Sequence, residues 1–228
     1  MIGRRAWLGL PLIILAVAGC DRVEQLDFVI EDGDRTVGRL SMRLYPIAAD
    51  STTQVIETET RLDLRAEGKT LDLHREERLE IDPRTGLAHA IVRRTKLGDL
   101  ELVGQLHVEA DTVRLIGLRG DRLRVAHAPD LFLEDGLHYR FLLTGLASVA
   151  PDSGWRYRGV DLDQGVLMDV VARRVGSDTL PVTGGSVTAE VVDLHYPALT
   201  AKRRLWIDPA DGRLLQSVGA DGLTLRLR

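Results

Sequence analysis

From Leu26 onward the chain alternates. Thr36–Leu44 places Val37, Leu40, Met42 and Leu44 near one face, Arg61–Arg65 reads Arg-Leu-Asp-Leu-Arg, and Leu71, Leu73, Leu79 and Ile81 mark the stretch after Lys69. The same period returns at Leu100, Leu102, Leu106 and Val108, and at Val113, Leu115, Leu123 and Val125. A period of two over five to eight residues is the mark of antiparallel strands with one buried and one solvated face. Gly33-Asp34, Gly98-Asp99 and Gly120-Asp121 fall between the runs as turns. Only Leu137–Ala150 competes with this pattern. There Tyr139, Leu142, Leu143 and Leu146 suit a short amphipathic helix, and Tyr139, Phe141 and Leu143 suit a strand equally well.

One stretch occurs twice. Arg78-Leu-Glu-Ile-Asp-Pro-Arg-Thr-Gly86 and Arg204-Leu-Trp-Ile-Asp-Pro-Ala-Asp-Gly212 share Arg, Leu, Ile, Asp, Pro and Gly at matching places. In each, the Asp can accept from backbone amides ahead of it, the Pro sets φ for the first turn position, and the Gly suits a left-handed exit. That describes a four-residue hairpin loop. Gly38-Arg-Leu-Ser-Met-Arg-Leu and Gly165-Val-Leu-Met-Asp-Val-Val match more loosely. The pattern predicts an all-β, mostly antiparallel protein: a curved sheet, half-barrel or β-clam built from two related strand meanders, with at most one or two short helices. The meanders are placed at 26–127 and 152–228, with 128–151 as the connection.

Parity within the repeat sets Leu79 and Ile81, like Leu205 and Ile207, on the core face, with Glu80 and Trp206 opposite. A Trp where the sister strand has Glu predicts that the second meander is covered on both sides, by the 130–150 connection or by a ligand. Phe132, Tyr139, Phe141, Trp155 and Tyr157 cluster around that connection in a chain only 4% aromatic. Such a cluster is either the core of the joint between the two halves or the lining of an apolar site. With Trp206, these residues form the candidate ligand or partner surface.

Residues 1–19 read as a targeting segment. Arg4 and Arg5 precede an apolar run, Ala6–Ala16, shorter than the roughly 20 residues a membrane-spanning helix needs. Val17-Ala18-Gly19-Cys20 resembles a bacterial lipobox, which implies cleavage before Cys20 and a diacylglyceryl group, with palmitate-type acylation, on its thiol. The expectation is a lipidated N-terminus and tether at 20–25, in the bacterial cell envelope and facing the periplasm. Asp21 resembles an inner-membrane retention signal. Because Cys20 is the sole cysteine, its acylation would exclude disulfides, thiolate metal sites and a cysteine nucleophile.

Without Arg4 and Arg5 the chain holds 28 basic and 34 acidic side chains, a balance that argues against a nucleic-acid partner. The six histidines stand apart from one another and from any local metal-ligand frame. Ser148, Ser153 and Ser186 lack a nucleophile-elbow context, and Gly184-Gly185-Ser186 reads as a turn. Runs such as His74-Arg-Glu-Glu-Arg78 read as solvated faces with cross-strand pairing. No catalytic, cofactor or metal residues are expected.

Gly154-Trp-Arg-Tyr157, Val182–Val192 and Leu205–Leu215, with the early Val37-Gly38-Arg-Leu, resemble an uncharacterised β domain of the bacterial envelope. That domain is found alone in periplasmic proteins and ahead of transglutaminase-like enzyme cores, and its architecture is similar to that of the lipoprotein-carrier half-barrels. The enzyme core is absent here, so that activity is not implied. The resemblance implies a non-catalytic module, tethered through Cys20, that holds an acyl chain, lipid or lipoprotein. The alternative is an accessory subunit that docks another envelope protein without a small ligand.

Overall fold

A computed structural model describes residues 23–47, 51–66, 69–85, 87–109, 112–117, 122–126, 131–133, 139–162, 165–182 and 184–228. The first half forms β1 (Glu24–Asp32), β2 (Arg35–Leu44), β3 (Gln54–Ala66), β4 (Lys69–Ile81), β5 (Ala88–Leu97), β6 (Leu100–Val108), β7 (Thr112–Ile116) and β8 (Arg122–Ala126). A short β9 (Leu131–Leu133) and helix α1 (Arg140–Ala147) follow. The second half is β10 (Trp155–Asp161), β11 (Val166–Val182), β12 (Gly185–Tyr196), β13 (Ala201–Ile207), β14 (Leu214–Val218) and β15 (Leu223–Leu227).

These strands make one 15-stranded sheet that is not closed. Its order follows the chain outward from β1 to β8 along one arm, and back from β9 to β15 along the other. β15 pairs with β1 at the centre, for example Phe28 with Leu227. Every pairing is antiparallel except β9 beside β10. Laid flat, such a sheet would be roughly 67 Å across at ~4.8 Å per strand. Yet only residues 127–130 join β8 at one edge to β9 at the other, and five Cα steps span at most ~18 Å. The sheet is therefore rolled until its edges nearly meet, and the curvature follows from chain connectivity alone.

The two halves correspond strand by strand. β10–β15 stand in the order of β1–β6, and the repeated turn lies between the fourth and fifth strand of each set. In both copies the Asp side chain caps the turn: Asp82 Oδ1 accepts from Arg84 N at 2.8 Å and Asp208 Oδ1 from Ala210 N at 2.9 Å. Asp82 N donates to Leu87 O at 2.9 Å and Asp208 N to Arg213 O at 2.8 Å, closing the hairpins. Gly212 exits at φ +83°, the left-handed region that favours glycine.

Antiparallel alternation puts both turns at the same end of the roll, and α1 spans them there. Arg140 Nη1 donates to Pro83 O at 3.1 Å and Nη2 to Ala210 O at 3.2 Å, while Tyr139 N donates to Gly212 O at 2.6 Å. A Cβ on Gly212 would lie 2.5 Å from Arg140 N, so the turn's glycine also makes room for the helix. The connection is thus a helix, and it packs on the inside of the roll. Phe141, Leu142 and Leu146 share one core with Leu79, Ile91 and Leu106 of the first half and with Val192, Leu194 and Leu205 of the second.

Two sequence expectations need correction. Glu77, in the run read as a solvated face, is only 8% exposed and points inward with Leu79 and Ile81. It meets Arg93, 1% exposed, with Arg93 Nε–Glu77 Oε2 at 2.6 Å. Its neighbours do form the solvated outer face, where Arg78 pairs with Glu57 at 3.0 Å and Arg61 with Glu59 at 2.7 Å. Val37, grouped with Leu40 and Met42 by sequence, instead lies on the outward side beside Arg39, because Gly38 takes the inward position opposite Leu62. Val37 and Val29 are nonetheless buried.

Candidate functional site

The expected aromatic surface is a packed joint. Tyr139, at 0% exposure, and Phe141 have ring centroids 6.0 Å apart. Phe141 meets Tyr157 edge-on at 5.7 Å and Trp155 at 6.4 Å, and Trp155 stacks on Tyr157 at 4.9 Å. Trp155 and Tyr157 share a face as i and i+2 on β10. Trp155 lies flat on Gly145, where a Cβ would come within 2.3 Å of its ring. A ligand reaching these rings would have to displace packed side chains. The side chain of Phe132 and the whole of Cys20 and Asp21 lie outside the described residues.

Trp206 stands apart from this cluster. It points outward, in the row that runs from Trp206 of β13 to Gln216 of β14, Arg226 of β15, Val29 of β1 and Arg39 of β2. Among the described residues, its cover is neither α1 nor the rest of the 130–150 connection. It is the distal part of the β11–β12 hairpin. Trp206 Nε1 donates to Asp178 Oδ2 at 3.2 Å. Beyond the point where β12 leaves β13 at Glu190, β11 and β12 continue together as an arm, paired from Gly176–Val191 to Val182–Gly185. The register shift between Arg174 and Gly176 marks its base, where a bulge bends and twists a ladder. Its tip carries Gly184 at φ +92°. The expected turn at Gly184-Gly185 lies at this tip, but nothing in the local pattern showed that the hairpin folds back.

Between the arm and the outer wall of β1–β3 lies a cleft of about 1200 Å³. Asp27, Arg39, Ser41, Glu59, Arg61 and Asp63 line the wall, all on outward positions. Val182 and Val187 line the arm side, and Leu215, Leu227, Arg213 and Arg228 the seam where the two halves join. A smaller cleft of about 220 Å³ continues under Leu180 and Pro181 toward Gln216 and Arg226. One wall is apolar and the other carries both signs of charge. Arg61 hydrogen-bonds Glu59 and holds that carboxyl below its ordinary range. Arg213 is held by Glu24 and Asp211, tying the start of β1 to the second repeated turn.

Chemistry-bearing constellations are few. Among the described residues, no three His, Cys, Asp or Glu side chains gather as a metal site, and no helix is long and apolar enough to cross a membrane. The architecture defines an all-β, barrel-like domain with an external cleft. No family model matches the chain, and no curated protein matches it. The fold is similar to the crystal structure of a β-barrel-like protein of the domain of unknown function DUF1849 from Brucella abortus. The TM-score is 0.56 over 90% of this chain and 93% of that one, at 12% identity. At that identity the likeness establishes the fold and nothing finer.

Proposed function

We propose that the protein is a non-catalytic binding module of the bacterial envelope, tethered to a membrane through lipid on Cys20, and that it holds an amphiphile in the cleft beneath the β11–β12 arm. The cleft carries the reading. Val182 and Val187 offer an apolar wall for an acyl chain, while Arg39, Arg228 and Asp63 offer charge for a polar head. The buried aromatics, by contrast, are occupied in packing α1 against β10.

The test uses protein that begins at Asp21 and so lacks the anchor. Native mass spectrometry and solvent extraction should find a co-purified lipid or fatty acid, and Val187→Asp should lose it without loss of folding. Trp206 lies beneath the base of the arm, so its fluorescence should respond to a fatty-acyl probe. If nothing co-purifies and Trp206 ignores the probe, the amphiphile reading is to be dropped. A second reading, docking of another envelope protein, draws on the two sheet edges, β8 and β9, which have no strand partner beyond them among the described residues. A stoichiometric protein partner captured by the lipidated form, and lost when β8 receives a proline at Val125, would favour it.

A further inference from the structure

We infer that the arm is the part of the protein that lies on the bilayer, so that the cleft beneath it opens toward lipid. The inference rests on the tether at Cys20. From Cys20 to Gln25 the chain can span at most ~18 Å, and Gln25 lines the same cleft as Val182 and Val187. The anchor therefore holds this cleft, and the arm that roofs it, close to the membrane surface. The opposite end of β1, with the Gly33-Asp34 turn, is held away by the length of a nine-residue strand.

The composition of the arm fits the place. Thr179–Ala189 carries no charged residue in a chain that is 28% charged; Leu180, Val182 and Val187 share the face that lines the clefts, and the opposite face carries Thr179, Pro181, Ser186 and Thr188. An uncharged segment can enter the headgroup region cheaply, whereas charged side chains resist leaving water. Pairing between β11 and β12 already satisfies much of the arm's backbone. Arg228, exposed and lining the cleft, suits anionic lipid headgroups. A protein partner could also want an uncharged hairpin, but the anchor puts lipid within reach first.

With Cys20 acylated, Ser186→Cys supplies one labelling site at the arm tip, and Asp34→Cys one at the far end. Each acylated full-length variant, labelled with a polarity-sensitive fluorophore, would be reconstituted into phosphatidylethanolamine–phosphatidylglycerol vesicles with no other protein present. Position 186 should shift to the blue and be quenched by brominated lipid, and position 34 should do neither. No shift at 186, or equal shifts at both, overturns the inference. If the protein fails to float with the vesicles, the tether is wrong and the inference falls with it. If it floats and 186 stays unshifted, only the inference about the arm falls.

Discussion

The two halves of the sheet share a plan and differ in what lies on each side of it. In the second half the inward face is largely apolar, with Val170, Ala172, Val192, Leu194, Leu205 and Ile207 in one core with α1, and on the outward face the arm reaches Trp206. In the first half the inward face admits charge, Glu77 against Arg93, and the outward face of β3 and β4 is a solvated ladder of ion pairs. The connection after the second strand shows the difference most plainly. In the first half it is the segment between Leu44 and Gln54; in the second, the strands continue to Val182 and Gly185. The shared plan is a scaffold in which turns and core parity are common to both halves. Whatever is particular to this protein belongs to the departures from that symmetry.

The largest effect is expected at the buried charge. Arg93→Ala would take from the buried Glu77 carboxylate the guanidinium that bonds it at 2.6 Å, and breaking a buried ion pair typically costs roughly 3–5 kcal/mol. Denaturant unfolding should show that loss, and Glu77→Gln added to Arg93→Leu should recover much of it. If Arg93→Ala is silent, the interiors of the two halves do not differ energetically as their structures do.

Next comes the shared turn. Gly212→Ala would force a side chain into the left-handed region and against the Arg140 backbone. The expected loss is about 2–3 kcal/mol, read as a lower Tm, because conformational cost and overpacking act together. Arg140→Ala should cost less, about 1–2 kcal/mol, since it removes hydrogen bonds from a half-exposed charged donor without a clash. A Gly212→Ala protein as stable as the wild type would mean that the repeated turn does not depend on its glycine.

Trp206→Glu tests the asymmetry directly, by giving the second copy the residue that the first carries at Glu80. The arm loses its bond to Asp178 and an aromatic support, so amide exchange over 175–189 should speed up. Global stability should fall by only about 1 kcal/mol, because the residue lies outside the core. Unchanged exchange in the arm would show that Trp206 does not hold it.

The smallest effect concerns Asp193, whose bidentate hydrogen bond from Arg204 (2.6 and 2.9 Å) depresses its pKa. A depressed folded-state pKa stabilises the fold above the ordinary carboxylate value of ~3.9 and loses that stabilisation as pH falls through the lowered value. Both side chains are partly exposed, so solvent screening keeps the contribution below about 1 kcal/mol. Asp193→Asn should remove only this part of the acid limb in a pH titration of Tm. An unaltered limb would assign it to other carboxylates, such as Asp82.

Much of this was legible in the residues. Period-two alternation marks the strands because side chains of a strand alternate between two faces whatever the strand packs against. Asp-Pro-x-x-Gly describes both repeated turns because their bonds are local. Even the inward Glu77 is within reach, since parity carried back from Ile81 and Leu79 arrives at it, although a charged residue in a charged run carries the mark of a solvated face. Its partner Arg93 lies on the next strand, at a distance set by register, which local pattern does not reveal.

Three things were decided only in the tertiary structure. The helix over Arg140–Ala147 beat the strand alternative because its buried face could seal the end of the roll and its first residue could bridge two turns 127 positions apart, Pro83 and Ala210. The aromatics became a joint because Gly145 lets Trp155 lie flat on the helix. The cover over Trp206 came from the chain's own hairpin, folded back at a bulge. In the first and third cases the deciding contacts join residues far apart in the chain, so the amino-acid pattern could say that Trp206 required a cover but could not say what supplied it.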